Sequence, residues 1–544
     1  MPFLGLVYPH QLINFATRSR LEYLSAIFLV KQSAGVGIPI QEMASKFLST
    51  QTVKATRGFA VQTAAKPAAT EFSPVPREPV KTTTLSNGIV VASIETNAPL
   101  SRVGIAFKAG TRNEPAGKEG LVHLLRMTSS LSNKQSTQFS LTRIINQAGA
   151  ALTCTSGREH VLYSVDATRQ HIDAVLSKLA DAATQQAFKP WELSDNMHKI
   201  KLDLAAVEPQ TQVIELLHKV AFRTGLANSL FCPPHLVGKH TPDSLQSFVA
   251  ANLRSDNAAV VGVGISHDRL VAYAQSLALN PGKPVSVIPS KVNAGEVRVD
   301  TNSPLAYVAV ATAGASLADT KSMITFALLQ RTLGTGNRFW FQSQSRSLAN
   351  RLSFLRNPSQ IWIWSRIQTK SSRVALADTK SMITFALLQR TLGTGIPVKY
   401  GSGAGSKLNQ AVLGSGAVSA LNLNYSDAGL FGFIAAAPAA DAGKVVSAAA
   451  KVLRTASVND SQLSRAKAQL KADLLMTQEN TGALLEELSL QTLLNRASTS
   501  ADLLSTIDKV SAAEINAVAS KLASAKLVVA AIGSLSNVPF VDEL

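Results

Sequence analysis

Val103–Gly110 reads VGIAFKAG, an apolar run closed by Ala-Gly, and Tyr307–Gly314 repeats the design as YVAVATAG. Each run is followed by a helical pattern, so each opens a domain on a strand that leads into a helix-rich region. Two late strands match in the same way, Val260–Ser266 (VVGVGIS) and Val528–Ser534 (VVAAIGS), and both follow an amphipathic stretch. From early to late strand the first half takes 157 residues and the second 221, or 162 once an internal duplication with an offset of 59 is set aside. Two homologous halves of near-equal length follow. Within them, periodicity near 3.6 predicts helices over Thr168–Ala187 and Lys199–Phe222 in the first half, and over Ala440–Ala456 and Ser461–Asn480 in the second. The expected fold class is therefore α+β, each half an antiparallel or mixed β-sheet with helices packed on one face. The domains expected are 71–279 and 296–544, joined by the Pro/Gly-containing linker 280–295.

The duplication is exact. Leu317–Gly336 (LADTKSMITFALLQRTLGTG) recurs unchanged at Leu376–Gly395. Solenoid repeats diverge and come in longer series, so two identical copies read as a duplicated exon or gene-model insertion, 337–395, that interrupts the second domain. The residues between the copies contain three of the four tryptophans, Trp340, Trp362 and Trp364, in an acid-free basic context. Excising either copy with this spacer leaves the same continuous sequence.

Composition narrows the function classes. With 46% hydrophobic and 16% charged residues the chain has the material for folded cores. Its net charge of +18 is concentrated: residues 1–69 hold seven Lys/Arg against two Glu, and 337–375 hold seven Lys/Arg and no acid. Outside those stretches no basic stripe with interleaved aromatics remains, which argues against nucleic-acid binding. No apolar run approaches the ~18 residues that cross a bilayer. Met43–Thr70 has Lys46, Lys54, Arg57 and Lys66, several hydroxyl residues and no acid, a mitochondrial transit-peptide composition. Since that segment starts at a methionine, residues 1–42 are expected to be a non-native extension. Cys154 and Cys232 have no Cys-x-x-Cys partner and read as small core residues.

The chemistry-bearing segment is Ala109–Met127, AGTRNEPAGKEGLVHLLRM. It resembles the pitrilysin-type zinc peptidases, whose motif His-x-x-Glu-His places two ligands at i and i+4 on one helical face, with the glutamate as base. The family also supplies a further Glu ligand nearly eighty residues downstream. Here only His123 matches. Arg126 stands at the base position and Met127 at the second ligand position, while counting to the distal ligand lands near Leu204, with Asp203 and Glu208 as the nearest carboxylates. One imidazole beside a permanent cation does not hold zinc, and arginine cannot accept a proton from water. The expectation is no catalytic residue, no metal and no cofactor, with His123 at a helix surface and Arg126 solvated or salt-bridged.

Other candidates offer no substitute. Glu159 and His160 lie in TSGREHVLYSV, which alternates as a strand and points them to opposite faces. His171, His198, His218, His235, His240 and His267 are scattered. The run Gly393–Lys407 is glycine-rich, but Ser406 separates Gly405 from Lys407, which breaks a phosphate-loop pattern.

Three segments refine the resemblance: AVEPQTQVIELLHKVAFRTGLANSLFCPP (Ala206–Pro234), NYSDAGLFG (Asn424–Gly432) and PFVDEL (Pro539–Leu544). They look like the branch of the family that serves as core subunits of the respiratory cytochrome bc1 complex. That resemblance implies a structural subunit without its own active site, peripheral to the mitochondrial inner membrane on its matrix side. Its implied partners are core protein 1 and other subunits of the complex, with a presequence peptide in the cavity between the two core proteins. The alternative is the non-catalytic glycine-loop subunit of the mitochondrial processing peptidase, which binds presequences.

Overall fold

The computed structural model describes residues 79–282, 289–334, 407–412, 415–495 and 500–544, all within the compact unit Val75–Leu544. The readings made on 1–42, on 43–70, on the duplicated segment 337–395 and on most of the glycine-rich run lie outside the described residues.

Two sheets organise the chain. The first contains β1 (Lys81–Thr84), β2 (Val90–Ile94), β3 (Leu100–Phe107), β4 (Ala151–Ser156), β5 (Val161–Thr168) and β6 (Ala258–Val263), in the order β1-β2-β6-β3-β5-β4. The second contains β7 (Gly295–Asp300), β8 (Leu305–Ala313), β9 (Ala417–Asn424), β10 (Gly429–Pro438) and β11 (Val528–Gly533), in the order β7-β11-β8-β10-β9. Leaving out the edge strand β1, the other five strands of the first sheet and the five of the second share one topology: β2 with β6 and β7 with β11 are parallel, and the remaining pairs are antiparallel. The early runs read from sequence are β3 and β8, and the late runs are β6 and β11.

Helices of each half cover one face of its own sheet. In the first half these are α1 (Leu121–Thr128), α2 (Gln138–Gln147), α3 (Ile172–Thr184), α4 (Pro190–Ala205), α6 (Pro242–Asn252) and α7 (His267–Ser276). Leu124, Leu141, Val175, Leu179 and Phe248 from these helices bury against Val103, Ile105, Phe107 and Tyr163. In the second half, α8 (Thr320–Leu333), the short α9 (Lys407–Ala411), α10 (Ala442–Arg454), α11 (Asp460–Glu479), α13 (Ser500–Lys509) and α14 (Ala512–Ala523) play that part. Ile324, Leu328, Val446, Leu453 and Ile515 pack there on Val308, Val310, Phe431 and Phe433. The first copy of the duplicated sequence supplies α8.

The opposite faces are filled by exchange. Helix α5 (Pro209–Ala221) leaves the first half and lays Val213, Ile214, Leu217 and Ala221 on Ala309, Ala311, Val528 and Ala530 of the second sheet. Helix α12 (Thr481–Leu493) returns the arrangement, placing Leu484, Leu485 and Leu488 on Ala92, Ala106, Leu162 and Val261 of the first. Every residue of β6 and β11 is consequently buried. That is why both read as unbroken apolar runs and not as alternating ones. Each exchanged leucine contributes about 2 kcal/mol through removal of its surface from water.

One expected helix is divided. Lys199–Phe222 is interrupted at Val207-Glu208, because Pro209 biases the residue before it away from helical backbone and itself starts α5 as an N1 proline. This break turns α5 away from its own half.

Candidate functional site

Helix α1 begins at Gly120, whose φ of 95° lies in the left-handed region. A Cβ at that position would come within 2.6 Å of the Cys232 Cα, so close approach of the chain adds to the dihedral requirement for glycine. The side chain of Glu114 accepts hydrogen bonds from Gly120 N (2.9 Å) and Val122 N (2.7 Å), satisfying N–H groups at the start of the helix. Burial pushes the Glu114 carboxyl up to about 8 against the pull of those two N–H groups.

His123 is fully buried, not at a helix surface as the sequence suggested, since α1 is enclosed on both sides. The backbone N–H of Cys232 donates to His123 Nδ1 at 3.0 Å. That nitrogen is therefore the unprotonated one, and the proton rests on Nε2, from which it is donated to Oδ2 of Asp203 at 2.9 Å. Arg126, one helical turn on, donates to the same oxygen at 2.5 Å. Of the two carboxylates near the distal position, Asp203 on α4 reaches the site, whereas Glu208 is the exposed N-cap of α5. Met127 is partly buried against the first-half core.

The charges are mutually consistent. Burial, joined by the Arg126 charge, holds the His123 imidazole below its ordinary value despite the Asp203 hydrogen bond. Burial would raise Asp203, but its hydrogen bond from His123 and the Arg126 charge outweigh it and keep the carboxyl low. The result is a neutral imidazole in one tautomer, an ionised aspartate and a guanidinium packed into a closed triad.

A zinc ion does not fit this donor set. Both ring nitrogens of His123 are engaged, the bridging oxygen of Asp203 already takes two donors, and Arg126 occupies the neighbourhood with positive charge. Among the described residues no group of three His, Cys, Asp or Glu is placed to hold a metal.

The remaining sequence candidates are dispersed. Glu159 and His160 sit in the turn before β5, not within the strand, so the expected opposite-face geometry does not apply to them. His218 is buried in α5 between the Ile214 carbonyl and the Tyr425 hydroxyl, and His267 bonds Thr83 and Ser93. Cys154 and Cys232 are both buried, and burial pushes their thiols up to about 12 and about 11.

Sequence reasoning missed a polar cluster between the halves. Arg112 donates to Glu159 (2.6 Å) and to both oxygens of Asp427 (2.9 and 2.5 Å). Glu159 in turn accepts from the backbone N–H (2.9 Å) and hydroxyl (2.5 Å) of Ser426, so the β4–β5 and β9–β10 turns meet head to head. No spacing signal announces it, because its two sides, Arg112 and Glu159 on one and Ser426 and Asp427 on the other, are more than 260 residues apart in sequence.

Residues 90–234 match the family described as Insulinase (Peptidase family M16), and residues 239–360 match the Peptidase M16 inactive domain. The chain is 32% identical over 511 residues to human "Cytochrome b-c1 complex subunit 2, mitochondrial", covering 91% of this chain and all of that protein. The chain belongs to the M16 peptidase family. The same subunit in Mus musculus is 32% identical, with 89% of this chain and 95% of the relative covered. An Arabidopsis thaliana relative, "Probable mitochondrial-processing peptidase subunit alpha-1, mitochondrial", is 24% identical over 85% of this chain and 83% of its own.

Proposed function

We propose that this M16 chain is a non-catalytic structural core subunit of respiratory complex III, the counterpart of core protein 2, and that it scaffolds assembly on the matrix side of the mitochondrial inner membrane. Core protein 1 and other subunits of the cytochrome bc1 complex are its partners, and it carries no cofactor. Its ancestral peptidase shape serves as architecture, with domains 71–279 and 296–544 joined at 280–295, a presequence at 43–70, and 337–395 a duplicated insertion.

The observation that carries the reading is the closed His123–Asp203–Arg126 triad, which leaves no imidazole lone pair for a metal and no base for water. Similarity to curated cytochrome b-c1 subunits over nearly the whole chain supports the choice of complex. No helix among the described residues is long and apolar enough to cross a membrane, in keeping with a peripheral position.

A native gel of mitochondrial membranes tests it. The chain is expected in the respiratory complex III band, with no zinc by plasma mass spectrometry and no cleavage of a presequence peptide. A soluble matrix location with peptide cleavage restored by an added catalytic subunit would instead establish the processing-peptidase alternative. Tryptic mapping is expected to yield no peptide containing Trp340 or Trp362.

A further inference from the structure

One histidine outside the ancestral site sits between two hydroxyl groups. Thr83 on β1 and Ser93 on β2 share a face of the first sheet, because Lys81 pairs with Ser93 and Thr83 pairs with Val91, two places along on each strand. Diagonal neighbours of this kind lie about 7–8 Å apart. His267, the first residue of α7, fills the gap: its Nε2 is 2.8 Å from Thr83 Oγ1 and its Nδ1 is 2.8 Å from Ser93 Oγ.

The two hydroxyls are not equivalent. Ser93 is 3% exposed and holds the ring from inside, whereas every residue of β1 is exposed and Thr83 is open to solvent. With the ring proton on Nδ1 and donated to Ser93, Nε2 accepts the hydrogen of the Thr83 hydroxyl. Nucleophile, base and orienting group then stand in the order that activates a hydroxyl. Ser266 does not cap α7 with its side chain, so first-turn N–H groups beside the ring remain for the oxygen of an arriving carbonyl.

The surroundings select the electrophile. Phosphoryl transfer needs cations gathered around the transferred oxygens. Here Asp268 is exposed next to His267, Arg269 is taken by Asp173, and Lys81, two residues before Thr83, only offsets Asp268. A neutral hydroxyl and imidazole without a surplus cation suit attack on an uncharged carbonyl. A thioester is the matching donor, because its sulfur departs more readily than an alkoxide.

We propose that Thr83 is an acyl-acceptor site, esterified by small acyl thioesters with His267 as general base and Ser93 as the residue that positions the base. Oγ1 attacks the thioester carbonyl while Nε2 takes its proton. The C–S bond then breaks and the proton passes to the departing sulfur, which leaves an ester on Thr83 and a free thiol. The site goes beyond the assembly reading above and does not depend on it.

The test incubates the full chain with S-acetyl-N-acetylcysteamine at neutral pH and locates the acetyl groups by peptide mass spectrometry. Thr82 and Thr84 are the internal control, since they are exposed on the same strand but point to its other face, away from His267. Thr83 is expected to be acetylated at least roughly tenfold faster than either, through a bond that hydroxylamine cleaves as an ester and not as a lysine amide. His267→Gln, which keeps a hydrogen-bonding side chain in place, is expected to slow the reaction roughly 100-fold, the scale of general-base catalysis. Ser93→Ala is expected to slow it several-fold and Ser93→Thr to restore it. Equal rates at the three threonines, or a Thr83 rate unchanged by His267→Gln, overturns the proposal. The comparison among threonines needs no variant, so it decides the matter even where a substitution disturbs the fold.

Discussion

Replacing Asp203 with alanine removes the anion from a closed triad. The guanidinium of Arg126 is then left buried without its partner, and its Nε already has no acceptor among the described residues. The Nε2–H of His123, fully buried, loses its acceptor as well. Breaking a buried pair from one side costs about 3–5 kcal/mol, so Asp203→Ala is expected to lose about 4 kcal/mol. Urea unfolding at pH 7, followed by circular dichroism, measures this. Adding Arg126→Met is expected to return at least half of the loss, because an apolar side chain of similar length needs no counter-charge. The pH profile carries a sign. Asp203 is held below its ordinary 3.8, so its contribution is present above that pH and is lost as pH falls through the lower folded value. The advantage over Asp203→Ala should therefore shrink below about pH 4. A loss under about 1 kcal/mol, or no recovery in the double variant, would refute the triad as an energetic unit and reopen the site to a metal.

Restoring the family motif with Arg126→Glu and Met127→His is expected to create zinc uptake close to one ion per chain, read by plasma mass spectrometry, while the unsubstituted chain takes up none. Arg112→Ala removes the cation shared by Glu159 and Asp427 and is expected to cost about 3 kcal/mol, with faster amide hydrogen exchange in the two turns that meet there. His218 is held neutral well below its ordinary 6.5, by burial first and by the Arg158 charge. Its depressed value means stability is present above pH 6.5 and lost as pH falls, so His218→Gln should flatten the acid side of the stability curve, and an unchanged slope would count against it.

Sequence alone carried the fold far. Periodicity and the matched runs at Val103 and Tyr307 gave two halves of one topology, because alternation and helical period are local consequences of side-chain direction. The substitutions at Arg126 and Met127 were equally plain, since a motif with fixed helical spacing is read off the chain. Tertiary structure alone decided which sheet α5 and α12 cover, because an apolar helix face does not encode its partner and both sheets offer similar Ala/Val surfaces. It also decided the burial and tautomer of His123. Those depend on Asp203 and on the Cys232 N–H, which lie 80 and 109 residues away and converge only when α1, α4 and the loop before α6 pack together.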